Sequence, residues 1–173
     1  ESLSRRGVIR KFLLPWSLFL GFCTVLGILF SENISDSNAL TYILINGTFS
    51  FFIIFMEAYI SGWILTELTA LMKNDTTSQR IFNLVIYSHV PFFIVLSLTH
   101  LFPQLLFLNL FGAYSFFIYW SGIDKMTEIE PENKFPFLIF SSLVMISLFF
   151  LLNFIFNSIY DTILGQLRIF AGL

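Results

Sequence analysis

The chain has 173 residues, of which 57% are apolar, 19% aromatic and 12% charged, with a net charge of −2 and a mean hydropathy of +0.84. Soluble domains carry about a quarter charged residues, and a domain of this length cannot hide so much hydrocarbon from water; a soluble enzyme, a disordered tail and a nucleic-acid binder with its basic face are therefore excluded. A single cysteine, Cys23, excludes a disulfide framework and a thiolate metal cluster, which leaves an integral membrane protein.

A spanning helix takes about 20 mostly apolar residues, because roughly 30 Å of hydrocarbon is crossed at about 1.5 Å per residue. Five stretches qualify: residues 12–30, 40–72, 81–101, 104–123 and 136–160. They are apolar on every face rather than alternating as membrane barrel strands do, and a helix satisfies its own backbone where lipid offers no partner. The fold class expected is all-α: a polytopic bundle of five transmembrane helices forming one domain over residues 1–173. A chain that opens on Glu1 rather than Met is expected to be a fragment or a trimmed product.

Stretch one holds no charge. The Arg5-Arg6 pair ahead of it imitates a twin-arginine signal, but the apolar run is too long and lacks a small-residue cleavage site, so it reads as an anchor with a basic flank. Stretch two would measure roughly 50 Å as a straight helix. Glu67, Lys73 and Asp75 favour an end near Leu65 and an interfacial continuation. In stretch three Pro91 removes a backbone donor and predicts a kink, with a freed carbonyl near Tyr87 that Ser88 or a neighbouring helix could satisfy. The link Leu101-Phe102-Pro103-Gln104 is so short that stretches three and four must form an antiparallel hairpin. Between four and five, Asp124, Glu128, Glu130 and Glu132 alternate with Lys125 and Lys134 and read as a solvated face. Ser17/Gly21, Cys23/Gly27 and Ala58/Gly62 have the small-xxx-small spacing of helix-packing grooves.

Orientation follows from the basic residues. With a cytoplasmic N-terminus, Arg5, Arg6, Arg10, Lys11, Lys73, Arg80, Lys125 and Lys134 lie inside and only Arg168 outside, the positive-inside pattern. The C-terminus is then expected across the membrane.

Ionisable groups inside a bilayer are costly and mark candidate sites. Glu57 is the clearest, and counting by rise places His89 at a similar depth from the other direction. A Glu57–His89 hydrogen bond, with Tyr87 and Ser88 at hand, would be either a proton or cation relay, a polar pocket for a head group or small ligand, or simply a satisfied bridge between two helices. Asn46, His100, Asn109, Asn153 and Asn157 gather nearer the opposite interface, where such side chains reach water. No metal is expected, because His89 and His100 stand roughly 16 Å apart on one helix and zinc sites want three or four ligands. No nucleophile elbow, HExxH or Gly-rich phosphate loop is present, so neither catalysis nor a cofactor is expected.

Leu14-Pro15-Trp16 at the entry to stretch one, Tyr87-Ser88-His89-Val90-Pro91 within stretch three and Tyr119-Trp120-Ser121-Gly122-Ile123 closing stretch four make the chain resemble the Yip family of five-pass membrane proteins, named for interaction with Ypt/Rab GTPases. The resemblance implies a cytosolic N-terminus, a C-terminus across the membrane, and association with other membrane proteins as homo- or hetero-oligomers rather than catalysis. The Asp-Leu-Tyr-Gly-Pro stretch of eukaryotic members is absent here, which argues against a small GTPase partner and for a bacterial cytoplasmic membrane over the Golgi or endoplasmic reticulum. The expectation is a non-catalytic scaffold whose partners are lipids and other membrane proteins. The alternative is a small transporter or channel-like protein using Glu57 and His89, and a lipid-modifying enzyme ranks third for want of a catalytic set.

Overall fold

The computed structural model describes residues 4–31, 39–71, 75–126, 129 and 131–170, and the described residues are almost wholly helical. Helix α1 (Arg5–Val8) passes through a π-turn (Ile9–Leu13) into α2 (Leu14–Ser31); α3 covers Ala39–Leu71, α4 Asp75–Ser88 and α5 Val90–Leu101. A 3₁₀ turn (Pro103–Leu108) then leads to α6 (Asn109–Gly112), α7 (Tyr114–Met126) and α8 (Pro131–Phe170). Among the described residues, five helical runs are long and apolar enough to cross a membrane: Arg5–Phe30, Leu40–Thr69, Gln79–Leu101, Pro103–Lys125 and Glu132–Ile163.

Several boundaries differ from the sequence expectation, each for a local reason. The first helix begins at Arg5 rather than residue 12, with Ser4 accepting the Gly7 amide as its N-cap. Its π-turn lies just ahead of Pro15, whose ring would otherwise press on the carbonyl four residues back, and the wider turn relieves that clash. Helix α3 runs unbroken for 33 residues instead of ending near Leu65. Buried Thr66 and Thr69 bond back to the Gly62 and Leu65 carbonyls there, so polar groups enter the helix without interrupting it. The fourth span is not one straight helix. It starts as a 3₁₀ turn and is interrupted at Ala113, between α6 and α7, where the Ala113 amide bonds the Leu110 carbonyl three residues back.

The third span is the centre of the bundle. Residues Ile81 to Ile86 are all buried, so this stretch of α4 is enclosed around its circumference and, Asn83 apart, is apolar, as a surrounded helix must be. Its Ile81, Leu84 and Val85 pack with Leu65, Tyr119 and Ile123. Phe82 and Ile86 face the other way, toward Val8, Leu13, Ile54 and Ala58. Helix α3 packs against α2, α4 and α8, α2 lies along α5, and α4 lies along α7, while α5 meets α6; the third and fourth spans therefore form the expected antiparallel hairpin. Close approaches occur where glycine removes the side chain. A methyl at Gly21 would lie 2.8 Å from the Gly47 carbonyl oxygen of α3, and one at Gly27 would overlap the His100 carbonyl oxygen of α5. Where α7 ends and α8 begins, Lys134 pairs with Asp124 at 3.3 Å; Glu128 and Glu130 lie outside the described residues.

Candidate functional site

The site is built on a break in the third span. Helix α4 ends at Ser88, His89 is a turn residue, and Pro91 sits in the first turn of α5. The proline thus starts a helix, where its missing N–H is no loss, and the discontinuity falls two residues ahead of it. In hydrocarbon every backbone group exposed by such a break needs a partner. Ser88 Oγ donates to the Val85 carbonyl at 2.8 Å, and His89 Nδ1 donates to the same oxygen at 2.6 Å. On the α5 side Phe93 N–H reaches the His89 carbonyl at 2.9 Å. Phe92 N–H is taken by Ser115 Oγ of α7 at 3.1 Å, a cap supplied from the neighbouring span.

This capping fixes the chemistry of His89. A carbonyl oxygen can only accept, so Nδ1 carries hydrogen and Nε2 is turned toward Glu57. Nε2 lies 3.2 Å from Glu57 Oε1 and 3.1 Å from Oε2. Contact at that distance needs one hydrogen between the two groups, held by nitrogen in an ion pair or by oxygen in a neutral pair. Ser61, one turn along α3, adds its hydroxyl to Oε1 at 3.3 Å. Glu57 is 2% exposed and His89 6%. The pair therefore shares a single proton deep in the bundle, ties α3 to the break, and could pass that proton if a second acceptor came within reach.

A cavity of about 150 Å³ opens beside the pair, lined by Glu57, Ser88, His89 and Ser115 and, among its apolar residues, by Phe92, Phe116 and Phe149. Of the four residues singled out from sequence, Glu57, Ser88 and His89 meet here. Tyr87 does not: its ring packs edge-on against Phe12 of the first span at 4.9 Å. Two residues around a helix is about 200°, so a neighbour in sequence points the opposite way. Ser61 and Ser115 were not anticipated. Ser61 had a readable signal in its spacing of four from Glu57, whereas nothing in the sequence aligns Ser115 with the break.

The second polar set does not assemble. Thr24 Oγ1 and His100 Nδ1 share a hydrogen bond of 2.7 Å between α2 and α5. Asn46 reaches the Tyr42 carbonyl and the Tyr160 hydroxyl, Asn109 accepts from Thr99, Asn153 bonds back to Phe149, and Asn157 is exposed. Among the described residues no group of three His, Cys, Asp or Glu side chains could hold a metal ion. The Glu57–His89 pair offers two ligands at most, fewer than the three or four a zinc site needs.

Compared with known families, the chain matches the family model described as the Yip1 domain over residues 3–152. No curated protein and no solved structure matches it.

Proposed function

The chain belongs to the Yip1 domain family, and on that premise we propose that it serves as a non-catalytic scaffold in membrane organisation or trafficking, binding other membrane proteins, its own copies or relatives among them. What supports this reading is the uneven burial of the spans. In the third span 61% of the most apolar stretch is buried, but only 17% in the fourth and in the fifth. Helices that bury so little within their own bundle offer most of their length to lipid and to partner helices, and association in lipid is driven by packing and hydrogen bonds rather than by escape from water. The N-terminus is placed in the cytoplasm and the C-terminus across the membrane on the distribution of Lys and Arg, and the host membrane is taken to be a bacterial cytoplasmic one. Crosslinking in native membrane tests the scaffold. Capture of a defined membrane protein or a second copy through α6 or α8 supports it, and a chain that crosslinks to lipid alone refutes it.

A second reading, a small transporter or channel-like protein using Glu57 and His89 as a proton or cation site, is favoured by the shared proton between them. Glu57→Gln and His89→Ala separate the two. Loss of a pH-driven flux in liposomes, with stability and partner capture intact, selects transport. Lower thermal stability with no flux in any form selects a bridge that locks helices. His89→Ala is expected to cost about 3 kcal/mol, since it removes the partner of the buried Glu57 carboxyl and one of the two donors on the Val85 carbonyl. Glu57→Gln is expected to cost about 1 kcal/mol.

A further inference from the structure

The cavity beside Glu57 is apolar on most of its wall but not on its floor. Glu57 Oε2 makes no bond of hydrogen-bonding geometry among the described residues, although it lies 3.1 Å from His89 Nε2. It remains an acceptor whether the shared proton rests on the histidine or on the other carboxyl oxygen. Ser115 lines the same cavity; its Oγ accepts from Phe92 N–H, and its own hydroxyl hydrogen finds no acceptor among the described residues. One buried acceptor and one free donor therefore face the same space. A hydroxyl group is matched to that pair because it both donates and accepts.

We propose that this cavity is a binding site, entered sideways from the bilayer, for an uncharged membrane lipid that carries a free hydroxyl at the end of a slender hydrocarbon chain. The lateral entrance lies along α8, where Ile146 and Phe150 line the cavity and are 41% and 67% exposed on the outer face of the bundle. Apolar cavities of about 150 Å³ accommodate a benzene-sized group, so roughly six carbons enter and the rest of the chain runs out past these two residues into lipid. A phosphate-bearing lipid does not fit. No Lys or Arg lines the cavity, a carboxyl group forms its floor, and Glu57 lies roughly 18 Å from the nearer end of its span, too deep for a charged head group. The site stands apart from both readings of function, since a scaffold or a transporter could each hold such a lipid.

The test uses the full chain in phosphatidylcholine nanodiscs with a 16-carbon alcohol bearing a photoactivatable diazirine near its hydroxyl, and the corresponding methyl ether as control. The alcohol is expected to label peptides carrying Ser115–Phe116 or Met145–Phe150, and the ether about fivefold less, the factor for one lost hydrogen bond of about 1 kcal/mol. Ser115→Ala should lower labelling by the alcohol to a similar degree. Ile146→Trp, placed on the lipid-facing mouth where the fold tolerates bulk, should abolish it; melting curves confirm that both variants are folded. Equal labelling by alcohol and ether would show a purely hydrocarbon cleft and overturn the proposal. So would labelling that survives Ile146→Trp, or none in the unsubstituted chain.

Discussion

Gly27 lies where the backbone of α2 meets the backbone of α5, so that an added methyl has nowhere to go but into the His100 carbonyl. At Gly122 the obstacle is the end of the Leu84 side chain, which can change rotamer. Both glycines are crowded, but only one is crowded by something immovable. Gly27→Ala is therefore expected to destabilise by about 3 kcal/mol, the upper range for overpacking, and Gly122→Ala by about 1 kcal/mol. Thermal unfolding in lipid nanodiscs checks the order, and equal losses would show that α2 and α5 separate easily. The Cys23/Gly27 spacing was legible as a groove, because small residues four apart on a helix leave a furrow. That a carbonyl fills the furrow was not legible, since the partner lies some 70 residues downstream.

At the scale of the element, the third span carries a discontinuity that its own sequence caps. Ser88 and His89 both bond the Val85 carbonyl near the end of α4, and Pro91 opens α5 without an amide to lose. Phe92 N–H is met from another element, by Ser115. Ser115→Ala should cost about 1–2 kcal/mol, the penalty for a buried unsatisfied donor, whereas Ser115→Thr should retain most of the stability by keeping the hydroxyl. Chemical or thermal denaturation of the two variants side by side reads this out, and identical behaviour would remove the cap from the account. The kink expected from Pro91 and the help expected from Ser88 were readable because proline chemistry is local. The donor from α7 was not, because nothing local to either segment encodes which face of α7 turns inward.

For the whole molecule the two outermost consequences are topology and exposure. The orientation proposed on the basic residues has a cytoplasmic N-terminus and, with five spans, a C-terminus across the membrane. Single cysteines introduced by Ser37→Cys and Leu173→Cys, on a Cys23→Ser background, should react with an impermeant thiol reagent from outside. Lys73→Cys and Glu128→Cys should react only after the membrane is opened. Cys23 itself is buried at 4% exposure, so it should react little with the reagent, and thermal unfolding of the Cys23→Ser background checks that the fold is kept. Labelling of residues 37 and 73 from one side would contradict the orientation. The fourth and fifth spans are the least buried of the five, and it is α8 that completes the cavity beside the buried pair.

By itself the sequence determined that the chain is helical and crosses a membrane five times, because in hydrocarbon an apolar run of sufficient length has only one way to satisfy its backbone. It also placed Glu57 and His89 at one depth, since the rise of a helix is fixed. Azimuth is another matter. Which side of each helix faces its neighbours depends on where glycines, bends and breaks let backbones approach, and hydrocarbon on every face carries no periodic mark of the inward one. Only the tertiary structure could turn Tyr87 away toward Phe12, bring Ser115 to Phe92, and leave a cavity where α8 passes the break.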